Sequence, residues 1–253
     1  MISSRHPPKN PIIIIPSRMG STRLPGKPLA DIHGLPMIVH VWNRARESGI
    51  GPVLVACDGV EIAQAVERAG GKAVVTRPDH PSGSDRIWEA LNALADHAAY
   101  DAVINVQGDE PTLDPSVIRA AWALLGDADV DIATVAAAIK DESKKQARQV
   151  VKAVVDLAPD ATHGRGLYFS RLPVPAGEGD MYHHVGLYAY RRDALERFVA
   201  AKPSPLETRE SLEQLRALSL GLRVEVGIID AVPMGVDTPE DLENARRALG
   251  GKS

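Results

Sequence analysis

Residues 11–16 read PIIIIP, and four consecutive isoleucines constrain the fold more than any other feature of the chain. A strand with one face in water alternates apolar and polar side chains. A run without alternation belongs to a strand buried on both faces, as in a parallel sheet covered by helices. The residues that follow keep that rhythm. Apolar positions at helical spacing occupy 36–49, opened by Pro36 and closed by Gly49. Then come PVLVACD (strand), 59–69 (helix), KAVVT (strand), 84–97 (helix) and DAVINVQ (strand), with a further helix at 115–125 starting from Asp114-Pro115. This alternation predicts an α/β protein with a mostly parallel sheet and helices on both faces.

Beyond residue 130 the rhythm changes. DIATVAAAI, QVVKAVVDL, GLYFSR and HHVGLYAYR read as strands without equally long helices between them, which predicts a mixed or antiparallel insertion. Helices return at 193–201 and 208–219, followed by a strand at 222–229 and a last helix at 238–249. The expected organisation is a core of 11–130 and 190–249 with a smaller mixed-sheet insertion at 131–189, one structural unit overall. PVPAGEGD (173–180) is the most loop-like segment, and GGKS is expected to fray.

Composition narrows the function. A net charge of −4 and 4% aromatic residues argue against nucleic acid, which favours a basic surface and stacking rings. The single cysteine, Cys57, allows no intramolecular disulfide, fits a reducing compartment, and reads as a buried inert thiol within a strand. The isoleucine run is too short for a signal-peptide core, and no stretch approaches the length needed to cross a bilayer. The expectation is a cytoplasmic protein without a membrane partner.

The loop after the first strand, SRMGSTRLPGKPL, gathers Arg18, Arg23 and Lys27 around Gly20, Ser21 and Gly26. In an open α/β sheet ligands sit beyond the carboxyl ends of the strands. Glycines let backbone N–H groups approach an anion, arginines offer forked donors to phosphate oxygens, and a lysine adds a movable point charge. An anion site is therefore favoured over a merely solvated basic loop. The loop matches neither G-x-x-x-x-G-K-[ST] nor G-x-G-x-x-G, so it carries neither the P-loop nor the dinucleotide fingerprint, and a dehydrogenase is disfavoured.

Two acidic motifs leave their meaning open. VINVQGDEP places Asp109 at the end of a strand, where a divalent cation bound with phosphates would find it, or where Gly-Asp and Pro simply close a turn. MGVDTPEDL places Asp237 before a helix, with Glu240 three residues on; helix capping by Asp237 explains it without a metal. In HHVGLYAYR, period two puts His184, Gly186, Tyr188 and Tyr190 on one face of a strand.

Taken in order, RMGSTRLPGKPL, SGSDR, INVQGDEP, LYFSR, HHVGLYAYR, SPLE…LEQLRAL and GVDTPEDL closely resemble the 3-deoxy-manno-octulosonate cytidylyltransferase (CMP-Kdo synthetase) family, from about residue 11 to residue 249. The resemblance implies a nucleotidyltransferase-type, Rossmann-like α/β fold and a homodimer, the 131–189 insertion serving sugar binding and dimerisation. It implies Mg2+-dependent coupling of CTP with 3-deoxy-D-manno-octulosonate (Kdo), giving CMP-Kdo and pyrophosphate for lipopolysaccharide synthesis. By position, Arg18, Arg23 and Lys27 would contact the CTP phosphates, Gly20 and Ser21 would shape the loop, and Arg77 and Ser82 would contact the nucleoside. Asp109 and Asp237 would hold magnesium, and with Arg18, Arg23 and Lys27 would form the catalytic set. Gln107, Arg171, His184, Tyr188, Glu213 and Gln214 would bind Kdo, Arg171 through the sugar carboxylate. Two departures stand out: His183 occupies a position where the family pattern has an arginine, and AVPMG is a residue shorter than expected. A sialate-type cytidylyltransferase, a nucleotidyltransferase for another base or acceptor, and a non-catalytic nucleotide-binding regulatory module are the competing readings.

Overall fold

The computed structural model describes residues 6–250, so the expected frayed tail lies, from residue 251 on, outside the described residues. The chain forms two compact units. One comprises Asn10–Arg119 with the segment from Pro233 onward, and the other Ala120–Val232 with the segment preceding Asn10. This division differs from the expected one, because residues 120–130 and 190–232 join the segment 131–189.

The nucleus of the first unit is β1 (Pro11–Ser17), whose isoleucines 12–15 are all at most 2% exposed. Its loop ends in a 3-10 turn, Lys27–Leu29, and a two-stranded hairpin follows, β2 (Asp31–Ile32) with β3 (Leu35–Pro36). Next come α1 (Met37–Glu47), β4 (Val53–Cys57), α2 (Val60–Arg68), β5 (Lys72–Val75), α3 (Gly83–Asn92) and β6 (Ala102–Asn105). The four longer strands run parallel in the order β5-β4-β1-β6. β1 reads as unalternating because amphipathic helices α1 and α3 pack on it, while β4 and β6 take up the hydrogen bonds of its two edges. Cys57 is buried within β4, as its apolar surroundings predicted.

An apolar cluster of Ile32, Met37, Val236, Leu242 and Ala245, with Leu24 and Ala30 against it, holds the end of the first loop to the C-terminal helix, Pro239–Gly250. That helix begins one residue later than expected. With Pro239 at its first position, Thr238 is the cap: the Asp241 N–H donates to Thr238 Oγ1 at 3.2 Å, and the Thr238 N–H donates to Asp241 at 2.9 Å. Asp237 and Glu240 do not perform the capping, and the Asp237 carboxylate remains available for other work.

The chain passes between the units within α4 (Pro115–Leu124). The second unit then contains β7 (Ile132–Ala138), α5 (Glu142–Gln146), β8 (Lys152–Asp156), β9 (His163–Ser170), β10 (Tyr182–Arg191), α6 (Arg192–Ala200), α7 (Pro205–Glu210), α8 (Gln214–Ser219) and β11 (Val224–Ile229). Its strands close on themselves: β10 pairs with β7, β7 with β11, β11 with β9, β9 with β8, and β8 again with β10. Only the β7–β11 pair is parallel. β11 thus belongs to the expected mixed sheet through six paired residues of β7, which is why the segment beyond 190 is not part of the nucleotide-binding core. The helix expected over 208–219 is broken: Ser211 adopts φ 55°, ψ 48°, ending α7 and letting α8 start afresh at Gln214.

Candidate active site

The first loop, the end of β1 and the segment that follows β6 border a cleft of about 830 Å³ in the first unit. Arg18, Gly20, Ser21, Arg23 and Lys27 line it on one side, Ser82 and Arg86 on another, and Gln107, Asp109 and Asp237 complete it. Local chemistry explains the loop's shape. Gly26 sits in the left-handed region at φ 68° and starts the turn that carries Lys27, a conformation that strains any residue with a Cβ. Ser21 Oγ accepts the Leu24 N–H, and the Met19 N–H donates to Asp58. A Cβ on Gly20 would meet no atom within 4 Å, so the cleft, not the protein, borders this glycine. Gly108 is different: a Cβ there would lie 2.5 Å from the Pro16 carbonyl, so only glycine lets the Gln107-Gly108-Asp109 segment pass so close to β1.

The two acidic motifs meet at this cleft. The Val236 N–H donates to the Asp109 carbonyl at 2.9 Å, splicing the two segments together. Lys27 Nζ then bridges both carboxylates, 2.7 Å from Asp109 Oδ2 and 3.0 Å from Asp237 Oδ1. Arg23 lies 2.9 Å from the other oxygen of Asp237. Burial works against the Lys27 charge, but Asp109 and then Asp237 outweigh it, so its pKa stands above the ordinary lysine value. Glu110 contrasts with its neighbour. Burial, with the Asp109 charge adding to it, pushes its carboxyl up to about 8, so it is neutral near pH 7. The negative charge of the motif therefore resides on Asp109.

Ser82 caps α3, accepting the Asp85 N–H and donating to its carboxylate, while its residue lines the cleft. Arg77 does not line it. Its guanidinium turns to Glu89 at 3.1 Å, and its side chain is largely exposed. Arg86, in the SGSDR motif but given no role by sequence reasoning, is the cation found in its stead: 4% exposed, it lines the cleft and donates to Thr76 Oγ1 and the Arg77 carbonyl. Its position on the inward face of an amphipathic helix was the available signal.

The other sugar-site candidates lie in the second unit, apart from Gln107. His184, Tyr188 and Tyr190 form a row of rings, with centroids 5.5 and 5.7 Å apart. The period-two expectation is interrupted here, since the register of β10 slips between Val185 and Tyr188. Burial, with a smaller effect of His183, lowers the His184 pKa to about 3, so the ring is neutral. Burial likewise raises the Tyr188 phenol. Gln214 lies 3.4 Å from His184 Nδ1 and is buried, against the solvated helix surface that its sequence pattern suggests by itself. Glu213 stands beside Arg216 at 3.7 Å. Arg171 donates from Nε, Nη1 and Nη2 to the carbonyls of Glu210, Arg148 and Ser211. Three of the five N–H donors a guanidinium offers are thus held by backbone. His183, the departure from the family pattern, pairs with Lys152 across β8 and β10; burial, then Lys144 and Lys152, lowers its pKa.

Residues 12–224 match the family described as Cytidylyltransferase. The 3-deoxy-manno-octulosonate cytidylyltransferase of Paramagnetospirillum magneticum (strain ATCC 700264 / AMB-1) is 59% identical over 94% of this chain and 97% of its own length. That of Parvibaculum lavamentivorans (strain DS-1 / DSM 13023 / NCIMB 13966) is 56% identical over 96% and 94%. The chain belongs to this family. A solved structure of CMP:2-keto-3-deoxy-manno-octonic acid synthetase complexed with CTP superposes with a TM-score of 0.87 at 40% identity, covering 96% of this chain and all of that one. The 4-diphosphocytidyl-2C-methyl-D-erythritol synthase of Anaerococcus prevotii DSM 20548, with a TM-score of 0.65 at 13% identity over 96% of this chain and 99% of its own, shares the fold. The cytidylyltransferase fold accounts for the position of the cleft, beyond the carboxyl ends of β1 and β6.

Proposed function

We propose that the chain couples CTP with Kdo, releasing pyrophosphate and forming CMP-Kdo. The observation that carries this reading is the bridging of Asp109 and Asp237 by Lys27 at the foot of an arginine-lined cleft, in a chain whose relatives bear this activity's name. The anomeric C2 hydroxyl of the sugar acid attacks the α-phosphorus of CTP. A new O–P bond forms, the bond to the β-phosphate oxygen breaks, and the hydroxyl proton is lost to solvent.

The chain's task is placement and neutralisation, because nucleophile and triphosphate both bring electron density to one point. Arg18 and Arg23 offer forked donors to the phosphates, and Lys27 adds a cation on the stem that already reaches the two carboxylates. Gly20 leaves room for the phosphates against the loop backbone. We place the nucleoside against Ser82 and Arg86, which line the cleft.

Asp109 and Asp237 fit a hard divalent cation: both are oxygen donors, and both already converge on a single cation, the Lys27 ammonium. We propose that Asp109 and Asp237 would hold Mg2+, which would supply Lewis acidity toward the α-phosphate. No group of three or more His, Cys, Asp or Glu side chains suited to a metal occurs among the described residues, so phosphate and water would complete the shell. We place the sugar acid against Arg171, His184, Tyr188, Glu213 and Gln214 of the second unit, with the remaining donors of Arg171 toward its carboxylate. No helix among the described residues is long and apolar enough to cross a membrane. A cytoplasmic homodimer feeding lipopolysaccharide synthesis completes the proposal.

Pyrophosphate release measured with CTP, Kdo and Mg2+ tests it, beside wells with N-acetylneuraminate, other nucleoside triphosphates, or EDTA. Release confined to CTP plus Kdo and abolished by EDTA is the expected outcome. Release with N-acetylneuraminate in place of Kdo would refute the sugar assignment. CTP binding without release in any well would refute the enzymatic one.

A further inference from the structure

The hydroxyl of Thr134, on β7, has three polar atoms around it: the Leu187 carbonyl at 2.8 Å, the Val185 carbonyl at 3.2 Å and His184 Nε2 at 3.0 Å. All four groups are buried in the second unit, Thr134 at 0% exposure. A threonine hydroxyl has one proton to give, and carbonyl oxygens can only accept. Two oxygens 2.8 Å apart need a proton between them, so the hydroxyl proton goes to the bulge carbonyls, with Leu187 the closer. That leaves Thr134 Oγ1 as an acceptor toward His184, so Nε2 must carry the hydrogen. A neutral imidazole with Nε2–H has a bare Nδ1, and burial keeps this ring neutral.

The bare Nδ1 is an acceptor, and it faces the side-chain amide of Gln214 at 3.4 Å. Only the amide's NH₂ can face it, since its oxygen would set acceptor against acceptor. The orientation of Gln214 is thereby decided three groups away: Leu187 carbonyl, Thr134 hydroxyl, His184 imidazole, Gln214 amide. With the NH₂ committed to His184, the acceptor that this side chain has left to offer is its amide oxygen. Phe169, edge-on to His184 with centroids 4.9 Å apart, and Tyr188, with centroids 5.5 Å apart, both pack against the ring.

We propose that Thr134 is a positioning residue for sugar recognition, fixing His184 as the Nε2–H tautomer and so presenting the Gln214 amide oxygen as an acceptor for a substrate hydroxyl. The proposal rests on the reading of Gln214 as part of the Kdo site. Its first half is nevertheless testable without substrate. With ¹⁵N-labelled histidine in the intact protein, NMR should show His184 protonated at Nε2 and bare at Nδ1. A proton on Nδ1 would overturn the proposal outright.

Thr134→Val keeps the shape and removes the hydroxyl, while Thr134→Ser keeps the hydroxyl. In Thr134→Val the KM for Kdo should rise about tenfold, the size of one hydrogen bond of roughly 1 kcal/mol or slightly more. The KM for CTP should stay within about twofold, and Thr134→Ser should bring the Kdo value back to about the same margin. A Thr134→Val enzyme with unchanged KM for Kdo overturns the positioning role even where the tautomer is as described. Equal rises for both substrates, without rescue by serine, do so as well. Should the unmodified protein release no pyrophosphate from CTP and Kdo, the functional reading fails, whereas the tautomer measurement still decides the relay.

Discussion

The cleft of the first unit and the polar network of the second are built on opposite principles. In the cleft, Arg23, Lys27, Asp109 and Asp237 are ionised groups in partial contact with water, with the Arg23 and Asp237 side chains 63% and 50% exposed. Around His184 the polar groups are buried and matched donor to acceptor, and the imidazole is neutral. A triphosphate requires charge, and charge is tolerated only where solvent or a counter-ion can reach it. A sugar offers hydroxyls, which are distinguished by direction, and direction is held best where no water competes. The comparison teaches that one region is organised by charge and the other by hydrogen-bond direction, and the proposed roles of the two, phosphate binding and sugar recognition, follow that division.

The largest expected effect strikes the charged region. Asp109→Asn or Asp237→Asn should lower kcat/KM by about 100-fold or more, several kcal/mol of transition-state stabilisation, with thermal unfolding little changed. Each variant retains the shape of the carboxylate but frees Lys27 from one partner. Near-normal turnover in both would dissolve the contrast, because the first region would then not depend on its charges.

A smaller effect probes the neutral region through pH. His184 is held neutral in the folded state with a pKa near 3, while in the unfolded chain it would take a proton near its ordinary 6.5. Its contribution to stability is therefore complete above about pH 6.5 and is lost as the pH falls toward 3, up to about 5 kcal/mol. Urea unfolding between pH 7 and pH 4 measures this. The pH slope of the unaltered protein should exceed that of His184→Gln, which has no imidazole to charge. Parallel slopes would show that the ring is already hydrated and that the network is not dry.

The smallest effect concerns a residue that does not line the cleft. Arg77 faces Glu89 and stands mostly in solvent, so Arg77→Ala should change the KM for CTP by less than about threefold. A tenfold rise would mean that Arg77 leaves Glu89 when nucleotide binds, and the charged region would then extend beyond the residues that now line it.

Much of this was legible in the linear chain. The unalternating isoleucines of β1 announced a strand buried on both faces, and the cations that follow it, expected to form an anion site, line a cleft. Asp109 and Asp237 were ambiguous because each motif also satisfies an ordinary turn or cap, and nothing local distinguishes the two uses. The deciding contacts, Val236 to Asp109 and Lys27 to both carboxylates, join positions far apart in sequence. The boundary at residue 190 was misplaced because helices α6 to α8 restore an α/β rhythm, whereas β11 returns to pair with β7. Glu213 and Gln214 looked like the middle of one amphipathic helix. The left-handed Ser211 that breaks it is not a glycine, and so carries no local signal.

Period, breaker residues and charge clustering act over a few residues, so this chain's composition and order suffice to assign most of its strands and helices, and one binding loop. The protonation of Glu110, the tautomer of His184 and the turning of Arg77 away from the cleft depend on which distant groups share a buried space. Desolvation and hydrogen-bond matching are set by three-dimensional neighbours, and packing alone brings those neighbours together.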